Sequence, residues 1–265
     1  MLPSYVAGVG VWSPLLPSWQ ACRDRLLGEP APATEARLPP ADWLPAVERR
    51  RATLSTRVVL SVTKEALTNA GWQPGELPTV FASSSGSPDI TNDLCSALAA
   101  GDTQISPTRF HNSVHNAAAG YYSIAVACHA SSITLGAHDA SAAAGLLEAS
   151  VLLATESTSA LFVACDAPYT GPLAAIRPIA DPFGVALALA PQRAPGQLAQ
   201  IVVARTAHQD RPPSVCREPQ LEYVRTHNPS ARLLPLLEAL ARREPAQIVL
   251  DMAGGSQLVV DVVPC

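Results

Sequence analysis

Residues 132–145 read SITLGAHDASAAAG: a short β-branched run, a tight turn of small residues and an alanine-rich stretch. That order suits a strand, a sharp turn and a helix, the shape of a nucleophile elbow. A nucleophile placed there gains from the helix N-terminus, which lowers a thiol's pKa and stabilises an oxyanion. Yet the turn itself, Ala137-His138-Asp139, holds no cysteine. Ser141, two residues further on, is either a displaced nucleophile or a helix-start serine used as a cap or in packing. Cys128 and His129 are adjacent, and neighbours on a helix point about 100° apart, so a buried structural cysteine is the reading preferred to a catalytic pair.

Two further groups have suggestive spacing. His111 and His115 stand i, i+4, with Asn112 and Asn116 beside them. On a helix such a pair can ligate a metal, but Ser106 and Pro107 just upstream favour a loop and no carboxylate lies nearby in sequence. Hydrogen bonding at a subunit interface, or a plain polar loop, is the expectation for the segment. The turn SSSGS at 83–87 resembles a phosphate cradle without the lysine of a P-loop, and a tight strand-to-helix connection accounts for it.

The elements that must carry these groups are legible from periodicity and turn residues. A strand is expected over Tyr5 to Val11, a helix over Ser18 to Leu27, and an irregular proline-rich excursion over Glu29 to Pro45. One long helix is expected from Glu48 to Ala70, stopping at Gly71. Thr79 to Ser83 reads as a strand and Asp89 to Ala100 as a helix. Ser106 to Asn116 reads as loop, and Ala117 to Cys128 as a helix. Next come the strand Ser132 to Leu135 and the helix Ala140 to Leu153. Strands follow at Ala160 to Cys165, Val185 to Ala190 and Gln200 to Ala204. After Arg205 the pattern weakens to a helix (Arg232 to Arg243) and a strand pair (Gln247 to Asp251, Gln257 to Val263) joined across Gly254-Gly255. The alternation predicts an α/β layered domain, helices covering a mixed sheet.

Composition excludes several classes. The chain has 265 residues, 48% hydrophobic and 15% charged, a globular balance with a sizeable core. A net charge of -4 without a basic stripe argues against nucleic acid. No apolar run reaches the roughly 18 residues of a membrane span, and the N-terminus lacks a secretory signal's layout, so a cytoplasmic protein without a membrane partner is expected. The six cysteines lack a CxxC pair, which favours reduced thiols over disulfides or zinc. No cofactor and no metal are expected.

In order and spacing, the segments YVAGVGVWSPL, RRRATLSTRVVLSVTKEAL, TVFASSSGSPDITNDL, FHNSVHNAAAGYYSIA, SSITLGAHDASAAAGLLEA, LFVACDAP and DPFGVALALAP resemble the β-ketoacyl synthases of the thiolase fold. The resemblance covers residues 5–205. It implies a ketosynthase N-terminal-like domain there and a short extension, 206–265, completing the same domain, with the family's second half truncated. The chain resembles the short chain-length-factor-like homologues of aryl polyene and xanthomonadin pigment pathways, thought to pair with a full ketosynthase.

The resemblance places Asp139 where a working ketosynthase carries its cysteine. A carboxylate at a helix N-terminus is a good cap, a poor acyl acceptor, and repels the oxyanion the site must hold. The family's two second-half histidines are also unmatched, since His208 and His227, the histidines left after Arg205, lie in no comparable glycine-rich loop. Residues Phe110, His111, Asn112, His115, Asn116, Tyr121 and Tyr122 match the family's interface segment, where the tyrosines would either line an acyl or aryl tunnel or pack in core or interface.

Three readings compete. A catalytically inactive subunit would pair with an active ketosynthase in a type II fatty acid or polyketide pathway and help set chain length. A stand-alone acyltransferase or thioesterase would use Cys128, Ser141 or Asp139. A binding module would dock an acidic acyl carrier protein, with arginines 49–51 as a candidate basic patch. Whether the isolated chain is a monomer or a homodimer stays open.

Overall fold

The computed structural model describes residues 2–29, 36–207 and 211–265. Residues 30–35 of the proline-rich excursion, and His208, lie outside the described residues.

Eight strands form one mixed sheet. They are β1 (Leu2–Trp12), β2 (Thr79–Ala82), β3 (Ser132–Leu135), β4 (Ala160–Asp166), β5 (Phe183–Ala190), β6 (Ala199–Thr206), β7 (Ala246–Asp251) and β8 (Gln257–Pro264), in the order β3-β2-β4-β5-β1-β6-β8-β7. The three strands β3, β2 and β4 run parallel, and every other pairing is antiparallel. The chain therefore has a mixed α/β architecture, one sheet with helices on both faces.

Alternation along the strands builds a core on each face. On β4, Ala160, Phe162 and Ala164 face one cluster while Leu161, Val163 and Cys165 face the other. The first cluster is covered by α1 (Trp19–Leu26), α7 (Ser141–Glu156) and α10 (Leu234–Arg242); the second by α3 (Leu54–Ala70) and α6 (Ala117–Val126). Helix α3 lies directly on β1 because that strand presents glycine to it. A Cβ on Gly10 would stand 1.9 Å from the Val62 carbonyl oxygen, and one on Gly8 2.2 Å from that of Ala66. Glu65 of α3 fixes the same contact by accepting from the backbone N–H groups of Val11 at 2.9 Å and Trp19 at 2.7 Å.

Several elements differ from the sequence expectation. The helix expected from Glu48 breaks into α2 (Ala46–Arg49) and α3, because Thr53 is extended and its hydroxyl caps the Thr56 N–H at 3.2 Å. The segment expected as loop at 106–116 contains α5 (Pro107–Asn112), where Pro107 occupies the first helical turn and Ser106 caps it. Proline there starts a helix, since the donor it lacks is one the helix leaves unpaired. The same device opens α4 (Pro88–Ala99), α8 (Pro172–Ile176) and α9 (Pro219–His227), the last two not anticipated. In the tail, α9, a 3-10 turn (Ser230–Leu233) and α10 cover the first core while β8 pairs along β6.

Candidate functional site

Strand β3 ends at Leu135 and α7 starts at Ser141, so residues 136–140 form the elbow. Gly136 allows the turn to pass its neighbours, for a Cβ there would lie 2.9 Å from the Ser83 carbonyl oxygen and 3.3 Å from His115 Nε2. His138 takes the left-handed conformation, φ 54°, uncommon for a residue with a side chain. The Ser141 hydroxyl holds the turn closed, accepting from Ala137 N–H at 2.9 Å and donating to the His138 carbonyl at 2.6 Å. Ser141 is fully buried, so its oxygen belongs to the turn.

Asp139 does not cap α7, whose N-terminus has no side-chain cap bond. Its carboxylate is instead engaged by two arginines from other elements. Arg177, just after α8, donates to Oδ1 at 2.6 Å, and Arg232, in the 3-10 turn, donates to Oδ2 at 2.9 Å. Arg177 also donates to the Tyr169 hydroxyl at 2.6 Å. Partial burial pulls the Asp139 pKa up, but the Arg177 hydrogen bond and both guanidinium charges outweigh it and hold the carboxyl below its usual range.

No thiol reaches this turn. Cys128 is buried at the end of α6, its Sγ directed at the Leu77 carbonyl at 3.7 Å, and His129 beside it is exposed. Burial pushes the Cys22 and Cys165 thiols up, and that of Cys216 up to about 12. Cys95 and Cys265 are exposed elsewhere. Among the described residues, the elbow offers charge and no sulfur nucleophile.

The segment from Phe110 to Tyr122, expected at an interface, divides in two. Phe110 is 64% exposed on α5, and Leu98, Val114 and Ile124 are exposed large apolar residues of the neighbouring segments. Asn112 is buried and donates to the Arg51 carbonyl at 2.9 Å; His111 and His115 are exposed, His111 packing edge-on to Tyr121 with ring centroids 6.0 Å apart and His115 Nε2 lying 3.0 Å from the Ser83 carbonyl oxygen. The two histidines thus serve different neighbours, and Asn116 is exposed at the start of α6. Tyr121 and Tyr122 are buried, with Tyr122 5.8 Å from the Phe81 ring. Neither lines the small cavity beside them, of about 20 Å³, bounded by Ser55, Phe81, Val114, His115, Ala118 and Cys165, a space of about one water molecule. The turn at 83–87 connects β2 to α4.

Sequence reasoning missed the buried carboxylate of Asp166 at the end of β4. Its Oδ1 accepts from the Ser84 N–H at 2.7 Å, the Ser84 hydroxyl at 2.6 Å and the Ser83 hydroxyl at 3.2 Å, and its Oδ2 from the Ser230 hydroxyl at 2.7 Å. Asn228 donates to the Asp166 carbonyl at 3.1 Å and accepts from the Ser230 N–H at 2.9 Å. These bonds tie the serine turn and the tail to the carboxyl ends of the parallel strands. A charged residue closing the apolar run ALFVACD was the available signal.

Comparisons with known proteins agree with this architecture. A family model described as β-ketoacyl synthase, N-terminal domain, matches residues 19–246. The chain is similar to a structure of a ketosynthase (ApeO) in complex with its chain length factor (ApeC) from Xenorhabdus doucetiae, at 20% identity and TM-score 0.72, covering 98% of this chain and 100% of that one. It is also similar to a type II polyketide synthase acyl-carrier protein in complex with its ketosynthase bound to the hexaketide, at 11% identity and TM-score 0.77, covering 100% and 99%. A third, the ishigamide ketosynthase/chain length factor, matches at 13% identity and TM-score 0.70, covering 100% and 99%. At these identities the likeness is one of fold. The search of curated proteins returned no match.

Proposed function

The chain belongs to the β-ketoacyl synthase N-terminal domain family, and from that premise we propose that it is a catalytically silent, chain-length-factor-type subunit that pairs with an active ketosynthase in a type II polyketide pathway of the aryl polyene kind. The observation that carries this reading is Asp139. Where the family places its cysteine, this chain has a carboxylate already engaged by Arg177 and Arg232. A paired carboxylate is a weak nucleophile and opposes a developing oxyanion.

Pairing draws support from the sheet edge. Among the described residues strand β3 is bonded to β2 alone, and its sequence, SITL, has none of the charges or proline that blunt an exposed edge. The exposed Phe110, Val114 and Ile124 belong to segments close in sequence to that edge. A partner strand added to β3 would continue the sheet, and a stable association of this type covers on the order of 800 Å² on each partner. The ketosynthase neighbours seen with a chain length factor or an acyl-carrier protein make a ketosynthase the expected partner and a carrier protein a possible third component.

The test is co-expression with an aryl polyene ketosynthase, followed by the mass of the purified complex. A one-to-one complex is expected, and Phe110→Asp should abolish it without changing the chain's own unfolding midpoint. A chain that stays alone and is covalently acylated by a thioester probe would overturn the reading.

A further inference from the structure

Beside the elbow lies a cleft of about 280 Å³ formed by the elbow, the segment after α8 and the turn that follows α9. Its lining includes Arg177, Arg232, His138 and His227, and among the described residues the sole carboxylate lining it is that of Asp139. Two guanidinium groups against one carboxylate leave a formal charge of +1. Each arginine spends one nitrogen on Asp139; Arg177 spends a second on Tyr169, and among the described residues the Arg232 side chain has no other hydrogen bond. Planar guanidinium forks with donors to spare bind oxyanions well. The apolar part of the lining is Ile176, Pro178, Ile179 and Pro229, with Ile176 79% exposed.

Asp139 is itself poised to give way. It sits next to the left-handed His138, its side chain is 41% exposed, and each of its oxygens is held by a single arginine nitrogen. An incoming oxyanion could replace it without burying an unpaired charge.

We propose that this cleft binds an oxyanion group carried on an apolar chain, with Arg232 and Arg177 holding the charge, the Ile176–Ile179 wall holding the chain, and Asp139 as the internal occupant the ligand competes with. The ligand chemistry is a carboxylate or phosphate headgroup joined to an aliphatic segment. The inference stands on the cleft alone, whether or not the chain pairs with a ketosynthase.

The experiment is calorimetric titration of the native chain with hexanoate, hexyl phosphate and the uncharged hexanamide. Saturable binding of at least one anion, and none of the amide, is expected. Hexanoate against hexyl phosphate then decides between carboxylate and phosphate. Arg232→Gln should weaken the favoured anion at least tenfold, and Asp139→Asn, which removes the competitor but keeps its shape, should tighten it severalfold. If Arg232→Gln does not fold, the Asp139→Asn titration alone decides. The proposal is overturned if neither anion binds saturably, if the amide binds equally well, or if Asp139→Asn leaves the affinity unchanged.

Discussion

Asp166 and Asp139 are carboxylates in opposite situations. Asp166 is wholly buried and faces hydroxyl and amide donors; burial raises its pKa and the bonds from Ser84, Ser230 and Ser83 only partly offset this. The folded state therefore holds the proton more tightly than the unfolded chain. Its contribution to stability is fully present below the unfolded value of about 4 and is lost as pH rises through the folded value. Asp166→Asn keeps the shape and removes that titration, so the stability of the variant relative to wild type should increase as pH rises from about 4, read by urea unfolding. Asp166→Ala strands several donors and should cost about 3 kcal/mol near pH 4, a cost that narrows as pH rises because the same titration is removed. At Asp139 the arginines dominate instead. Asp139→Cys should give a thiol that reacts with iodoacetamide well before the buried Cys128, because two guanidinium charges favour the thiolate; a thiol no faster than Cys128 would mean that the elbow does not present this side chain. The elbow was legible because small residues after a β-branched run leave few alternatives. The arginines were not, because residues 177 and 232 reach residue 139 only through the tertiary fold.

At the scale of elements, the contact of β1 with α3 depends on what is missing from the strand. Gly10→Ala would push a methyl group into the Val62 carbonyl, an atom that cannot move without bending the helix. The expected loss is about 2 kcal/mol or more, read as a lowered urea midpoint, whereas alanine at the uncrowded Gly75 should leave the midpoint within about 0.5 kcal/mol of wild type. Strands such as ALFVAC and VALALA, and helices with strong apolar periodicity, could be read directly because burial imposes the pattern. Helices α5, α8 and α9 escaped notice for a common reason: each is short and begins with proline. Proline marks a break inside a helix and a start at its first turn, and a short segment offers too little periodicity to tell the two apart.

For the whole molecule, the question is whether residues 206–265 form an appendage or complete the unit. We propose that they complete it. Strand β8 pairs with β6 from Ala199 to Thr206, and Leu233, Leu236, Leu237, Leu258 and Val260 are buried in the core that α7 and β1 also line. In sequence the tail looked weak because its strands follow a polar stretch and its partner strand, β6, lies across that stretch. The four tryptophans, Trp12, Trp19, Trp43 and Trp72, all lie in the first part of the chain, so their fluorescence reports that part while far-UV circular dichroism reports the whole. If the chain is one cooperative unit, the two signals should follow a single urea transition with the same midpoint. A chain ending at Thr206 would leave the β6 edge unpaired and the apolar face of α7 partly bare, and should show no cooperative transition by either signal. Separate midpoints in the full chain, or a sharp transition in the shortened one, would make the tail an independent addition. The tie from Arg232 to Asp139 would then join two units instead of closing one.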